Sequence, residues 1–277
     1  MSNQNGSNSS APAELSRVLT LRSLVFYGIA FIIPLAFFTT YGIVTNTTHG
    51  HVSMTYVVAT LCMVFTAYSY CRMSKAFPSS GSVYAYATET FNPYIGFIAG
   101  WTIVLGYMFL PMLNYLASAI FMQAALPSIP LWVWVVLFTV IVTGANLLGI
   151  KVADIFNNVV VIIQLIFLVI LLIMTIRYIT GHDLAINMSA FYNSEEFANM
   201  GGVKGIASGA AIVCLAYLGF DGIAALGEEA IEPKKNIPKA LMICCIGVGA
   251  MYVIFTYLLQ AAWPTAWNEI ENLDGGA

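Results

Sequence analysis

Charged side chains are scarce in this sequence. Only 8% of the 277 residues are Asp, Glu, Lys or Arg, and 60% are hydrophobic, whereas soluble domains have about 25% charged residues. Between Thr90 and Ile150 the chain has no Asp, Glu, Lys, Arg or His. Since an α-helix crosses the hydrocarbon core with about 20 apolar residues, this composition excludes an ordinary soluble domain. It predicts an integral membrane protein in contact with the lipid bilayer.

The sequence also has few residues suited to metal or acid–base chemistry. No CxxC motif and no His/Cys cluster occurs, and the five cysteines fall in or beside apolar runs, where thiols act as small hydrophobic groups. A membrane enzyme would need His, Asp or Ser groups clustered at one depth, and no basic patch is interleaved with aromatics. We therefore expect no enzyme, no metal, no cofactor and no nucleic-acid partner.

Apolar runs predict seven membrane spans and an orientation. The third run contains Pro111, which is expected to kink its helix. With the amino terminus in the cytoplasm, eight of the ten Lys and Arg residues fall inside and only Arg177 and Lys204 fall outside, as the positive-inside rule requires. A multi-pass protein of the cell membrane follows. The spans are at about 24–44, 54–70, 94–126, 129–150, 155–176, 205–227 and 240–263.

The first and sixth spans are interrupted at membrane depth. Pro34 lies near the middle of the first, and Gly219 and Gly222 flank Asp221 in the sixth. Broken helices persist in lipid only where protein or a watery cavity accepts the freed backbone groups. Many secondary transporters have such helices at matching positions of two inverted repeats, and bind substrate between them. The alternative is that both breaks only help helix packing.

This spacing predicts an all-α, five-plus-five inverted-repeat transporter fold with discontinuous helices 1 and 6. About seven spans are present, which suggests that the chain is part of a longer protein. The Ser- and Asn-rich start shows no signal peptide. The predicted parts are a disordered cytoplasmic tail at 1–21, a first five-helix repeat at 22–178, an extracellular loop at 179–204, and two helices of the second repeat with an outer tail at 205–277.

Three motifs carry a resemblance to a known family. AYLGFDGIAALGEEAIEPKKNIPKA (216–240) resembles the sixth helix and following loop of amino acid permeases in the amino acid–polyamine–organocation superfamily. FPSSGSVYAYATETFNPYIGFIAGW (77–101) and NNVVVIIQ (157–164) are similar to segments of the same family, and GIAFIIPLAFFTTYGIV resembles its putrescine-importer branch. The resemblance implies a permease that imports an amino acid, amine or polyamine by symport with a proton or sodium, through alternating access.

The sequence departs from the family at several functional positions. Pro34 replaces part of the usual Gly-rich break in helix 1, which leaves one backbone donor fewer for a substrate carboxylate. Thr39 and Gly106 stand where diamine importers tend to have acids, although a dication needs buried counter-charge. Gln164 occupies the position of a lysine that helps proton coupling in many relatives. A proton site would therefore lie elsewhere.

The candidate substrate site combines the two breaks with one residue of the third span. Asp221 is the candidate coupling residue, because intramembrane acids usually face a polar path; the alternative is that it caps the inner half-helix. Glu228 and Glu229 are candidates for an inner gate, or else lie on a solvated face. The proposed substrate-binding residues are Ile33, Pro34, Leu35, Ala36, Tyr107, Ala216, Tyr217, Leu218 and Gly219.

Other seven-span proteins fit less well. A retinal protein needs a lysine within its last span, and the run at 240–263 has none. Seven-helix receptors place the amino terminus outside, against the distribution of Lys and Arg. Two alternatives stay open, namely an amino acid or amine sensor that keeps the fold without transport, and an exchanger of amino acid and amine.

Overall fold

The computed structural model describes residues 17–32, 35–77, 79–148, 150–182, 184 and 188–269, with backbone only at 150–154 and 157. This part of the chain is helical. Its long helices are α1 (Leu21–Ile32), α2 (Ala36–Thr47), α3 (Val52–Ala76), α4 (Ser82–Thr90), α5 (Pro93–Ala125), α6 (Leu131–Leu147) and α7 (Ile150–Gly181). They are followed by η1 (Met188–Ala190), α8 (Ser194–Asn199), α9 (Val203–Val213), η2 (Cys214–Tyr217), α10 (Gly222–Ala225), α11 (Pro233–Ala262) and α12 (Ala266–Glu269).

All seven predicted apolar runs form helices. Five segments of the described chain are long and apolar enough to cross a membrane, and α1 with α2 makes a sixth if the bent pair is one span. The remaining run forms α6, which at 17 residues is shorter than the usual span. The predicted multi-pass membrane architecture is therefore confirmed.

The third span is a single long helix. At its start the side chain of Asn92 accepts a hydrogen bond from the amide of Ile95 at 2.9 Å, and Pro93 occupies the first helical position. Both are favourable, because the first turn of a helix has unpaired amides and proline has none. Helix α5 then continues through Pro111 to Ala125, which agrees with the predicted length of this span.

The core lies where α1, α3, α10 and α11 meet. Leu24, Tyr56, Tyr217 and Tyr252 are completely buried there. By contrast, α5, α6 and α7 leave most of their large apolar side chains exposed, such as Phe97 at 67%. Such faces suit contact with lipid or with other apolar helices. The core therefore brings the first, second, sixth and seventh predicted spans together.

A short backbone bridge joins the segment before α1 to the loop after α10. The amides of Val18 and Leu19 donate to the carbonyl of Glu229 at 2.9 Å, and the amide of Ile231 donates to the carbonyl of Leu19 at 2.9 Å. The sequence places residues 18–20 in the disordered tail. The structure instead orders them, because extended residues that lie against a loop can satisfy their backbone groups there.

Candidate functional site

The first span is divided into two helices. Helix α1 ends at Ile32 and α2 begins at Ala36, with an angle of 45° between them. Leu35 precedes α2 without a side-chain cap. Two of the predicted substrate-binding residues, Ile33 and Pro34, lie outside the described residues. The described parts of the first span are therefore bent relative to each other, with Leu35 and Ala36 on the α2 side of the bend.

The sixth span is divided at the predicted place. Helix α9 tightens into the 3₁₀ turn η2, and Leu218 then adopts an extended conformation (φ −57°, ψ 140°) before Gly219 turns the chain at φ +97°. The amide of Leu218 donates to the carbonyl of Leu215 at 3.1 Å, and that of Gly222 to the carbonyl of Gly219 at 3.0 Å. Regular α-helical hydrogen bonding is thus interrupted between Val213 and Gly222.

The two breaks contact each other. A Cβ atom placed on Gly219 would collide with the carbonyl oxygen of Phe31, and one placed on Gly222 would lie 2.8 Å from the Phe31 ring. Gly219 is needed for a second reason, since side chains rarely tolerate a φ of +97°. The glycines of the sixth span therefore allow its break to pack against the end of α1.

Tyr252 of α11 joins both breaks through one hydroxyl group. Its oxygen lies 3.1 Å from the carbonyl of Ala216 and 3.4 Å from the carbonyl of Ile32, the last residue of α1. The side chain is fully buried, and its ring packs 5.2 Å from that of Tyr56. Sequence reasoning missed this residue. The signal was a tyrosine inside an apolar span, where a buried hydroxyl needs a partner.

Asp221 and Tyr107, 114 positions apart, are brought together. The Tyr107 hydroxyl donates to a carboxylate oxygen of Asp221 at 3.1 Å. Asp221 occupies the residue before α10, but its side chain makes no capping hydrogen bond. The structure therefore does not support the alternative in which this carboxylate caps the inner half-helix, because the carboxylate turns toward α5 instead.

The surroundings of Asp221 are aromatic, and no Lys, Arg or His of the described residues forms an ion pair with it. The Tyr70 ring packs 5.1 Å from that of Phe220, edge to face. Beside Tyr107 is a cavity of about 420 Å³ lined by aromatic and small residues, including Tyr84, Phe97 and Trp101. Within the described part of the chain, the ion pairs are His49–Glu196 and Lys235–Glu232, and neither involves Asp221. The Asp221 carboxylate therefore has a phenol as its hydrogen-bond partner and no cationic partner among the described residues.

The side chain of Tyr217, a predicted substrate-binding residue, lies in the core of the bundle. Its ring is fully buried against α3 and α11, and its hydroxyl lies 2.6 Å from that of Thr60. The carbonyl of Ala216 is engaged by Tyr252. Leu218, in contrast, is 50% exposed. Of the four residues predicted on this side, Leu218 is thus exposed and Gly219 half-buried, whereas Ala216 and Tyr217 are buried.

Glu228 and Glu229, which follow α10, make different contacts. The Glu228 carboxylate accepts from the hydroxyl of Ser80 at 2.8 Å and from its amide at 3.4 Å, which joins this loop to the one between α3 and α4. Glu229 contributes its backbone carbonyl to the bridge with Val18 and Leu19. In the described residues neither glutamate forms a salt bridge. Glu228 therefore connects two loops at one end of the bundle through neutral donors.

Comparisons with known proteins agree with this architecture. The amino acid permease family model matches residues 23–275. The chain is 35% identical over 254 residues to the low-affinity putrescine importer PlaP of Escherichia coli strain K12, covering 91% of this chain and 55% of the relative.

More distant relatives have other substrates in their names. The branched-chain amino acid permease BcaP of Bacillus subtilis is 27% identical, covering 93% of this chain and 57% of the relative. The lysine-specific permease LysP of Lactococcus lactis is 26% identical, covering 94% of this chain and 53% of the relative. The chain thus spans about half the length of the curated relatives it matches.

Proposed function

The chain belongs to the amino acid permease family, and on that basis we propose that it is part of a secondary transporter that imports an amino acid, amine or polyamine across the cell membrane. In this proposal residues 22–178 form the first five-helix repeat and 205–277 begin the second. The loop at 179–204 is extracellular and the amino terminus is cytoplasmic. Transport proceeds by alternating access, coupled to a proton or sodium.

The observation that carries this proposal is the contact between the two broken helices. Gly219 packs against the backbone of Phe31, so that both interruptions lie at one place in the bundle. Interrupted helices expose amides and carbonyls that a substrate can bind. Leu35 and Ala36 on one side, with Leu218 and Gly219 on the other, form the proposed backbone site. Ile33, Pro34, Ala216 and Tyr217 stay predicted members of it.

Asp221 provides the proposed charge at this site. Its carboxylate has a phenol partner and no cationic partner in the described chain. Asp221 is half-buried, and a carboxylate among apolar side chains without a cationic partner is costly, so binding a proton, sodium or the ammonium of a substrate would stabilise it. This supports a substrate with a cationic amine or coupling to a cation. Gln164 does not titrate, which leaves Asp221 as our coupling candidate.

Glu228 and Glu229 are proposed to form part of the inner gate. Glu228 bonds to Ser80 across two loops, and Glu229 holds the segment before α1. In an alternating-access cycle these contacts would break when the site opens to the cytoplasm.

Uptake into proteoliposomes tests the function. We expect protein-containing liposomes to accumulate labelled putrescine, lysine or a branched-chain amino acid above protein-free liposomes when a cation gradient is applied. Accumulation only after preloading with unlabelled substrate would indicate an exchanger. Saturable binding of the same label without accumulation would indicate a sensor and would overturn the transport proposal.

A further inference from the structure

A basic groove lies where the end of α3 meets the beginning of α11. It has a volume of about 550 Å³, and its lining includes four lysines, Lys75, Lys234, Lys235 and Lys239. All four are exposed. The Sγ of Cys71 donates to the carbonyl of Pro238 at 3.2 Å, a weak hydrogen bond between the two helix ends. The groove is therefore built from two helices that pack against each other.

The charge in this groove is mostly uncompensated. Lys235 pairs with Glu232 at 3.0 Å, and both side chains are largely exposed, so the pair is weak. In the described chain Lys75, Lys234 and Lys239 form no ion pair. The amino-terminal end of α11 adds the positive end of a 30-residue helix. The groove thus suits an anion with several oxygen acceptors.

Apolar side chains continue the groove toward the middle of the helices. Tyr68 precedes Lys75 by seven residues on α3, a rise of about 10 Å at 1.5 Å per residue. On α11, Met242 and Ile243 follow Lys239 by one turn, in the same groove. Tyr68 and Ile243 are 57% and 48% exposed. On each helix, lysines lie at the end and exposed apolar groups lie deeper.

This order of charge and apolar surface matches one class of ligand. A phospholipid has an anionic phosphate at the membrane surface and acyl chains beneath it, and basic pockets between membrane helices bind such headgroups. We propose that this groove binds the phosphate headgroup of an anionic phospholipid, with an acyl chain along Tyr68, Met242 and Ile243. The site is separate from the breaks that form the proposed substrate site, and it does not depend on which substrate is transported.

Native mass spectrometry of the purified, delipidated protein tests this proposal. Added phosphatidylglycerol should bind at a defined stoichiometry, more tightly than zwitterionic phosphatidylcholine, and less tightly as salt is raised. Glycerol phosphate, which has the headgroup chemistry without acyl chains, should bind far more weakly. Equal binding of the two lipids would overturn the proposal, and binding of glycerol phosphate as strong as that of the lipid would assign the groove to free phosphates.

A matched pair of double variants locates the site. Lys75→Gln with Lys239→Gln should lower phosphatidylglycerol affinity about fivefold per lysine, or about twenty-fivefold together. Arg177→Gln with Lys204→Gln removes the same charge from exposed positions on α7 and α9, and should leave the affinity within about twofold. Equal losses in both variants, or none in the first, would contradict the assignment.

A charge-preserving variant guards against a folding defect. Lys75→Arg with Lys239→Arg keeps both cations in place and should retain phosphatidylglycerol binding within about threefold. Loss of binding in this variant, with helicity by circular dichroism unchanged, would count against recognition by charge.

Discussion

Gly219 combines two requirements at one residue of the sixth span. Its φ of +97° excludes most side chains, and the carbonyl of Phe31 occupies the space a Cβ would need. We expect Gly219→Ala to destabilise the protein by about 2–5 kcal/mol and to abolish uptake, as measured by thermal unfolding and proteoliposome transport.

The control for this substitution is Gly144→Ala in α6. A Cβ at Gly144 meets nothing within 4 Å, so alanine there should change stability by no more than about 1 kcal/mol. A Gly219→Ala protein as stable and active as this control would show that the breaks do not need their close contact.

Substitution of Asp221 tests whether its carboxylate couples transport to a cation. Asp221→Asn preserves size and hydrogen bonding to Tyr107 but cannot exchange a proton. We expect the variant to lose accumulation driven by a proton gradient, while uptake down a substrate gradient persists. Measurement of initial uptake across a series of external pH values gives the readout.

Glu89→Gln is the matched acid-to-amide control, because Glu89 lies exposed on α4. It should keep the pH dependence of the unmodified protein. If uptake by the Asp221→Asn protein has the same pH dependence as uptake by the Glu89→Gln protein, Asp221 has no part in proton coupling.

Tyr252 connects three elements, because its hydroxyl extends from α11 to backbone carbonyls of α1 and η2. Tyr252→Phe keeps the ring and its packing but leaves two buried carbonyls without this donor. We expect the stability of the fold to fall by about 1–3 kcal/mol, as measured by thermal unfolding, and the initial rate of uptake to decrease.

Tyr94→Phe is the control, because Tyr94 is 84% exposed. It should change stability by no more than about 0.5 kcal/mol. A similar effect in both variants would argue against a specific role for Tyr252.

The packing of α3 against α11 depends on Gly249. A Cβ there would lie 2.5 Å from Cγ2 of Thr60 and 2.8 Å from the Tyr217 hydroxyl. Gly249→Ala should therefore cost about 1–3 kcal/mol by overpacking. Gly247→Ala, two residues away in the same helix with open space around it, should be neutral or stabilising by up to about 1 kcal/mol. Thermal unfolding of the two variants tests this prediction. Equal midpoint temperatures of unfolding would rule out close packing at Gly249.

The orientation proposed for the whole molecule rests on its unequal distribution of Lys and Arg. We expect a cysteine at Glu195 on α8 to react with a membrane-impermeant maleimide in intact cells, and one at Glu89 on α4 only after permeabilisation. Of the native cysteines in the described chain, Cys62 is the exposed one, and it lies within the apolar length of α3, so the unmodified protein gives the background. Labelling in the opposite pattern would reverse the proposed topology.

The sequence by itself determined the class of protein and the positions of its spans. Apolar runs have no stable alternative to helices in a bilayer, because unpaired backbone groups are too costly there. For the same reason, Pro34 and the glycines around Asp221 marked both breaks. The three motifs identified the amino acid permease family, which the family match confirms.

Only the tertiary structure decided which side chains meet. The pairing of Asp221 with Tyr107, the link of Tyr252 to both breaks and the bond of Glu228 to Ser80 join residues 36 to 220 positions apart. Periodicity assigns each such residue to a helix, but it does not determine the rotation and depth at which two helices pack. Those depend on close contacts such as Gly219 against Phe31, where the absence of a side chain lets two backbones approach.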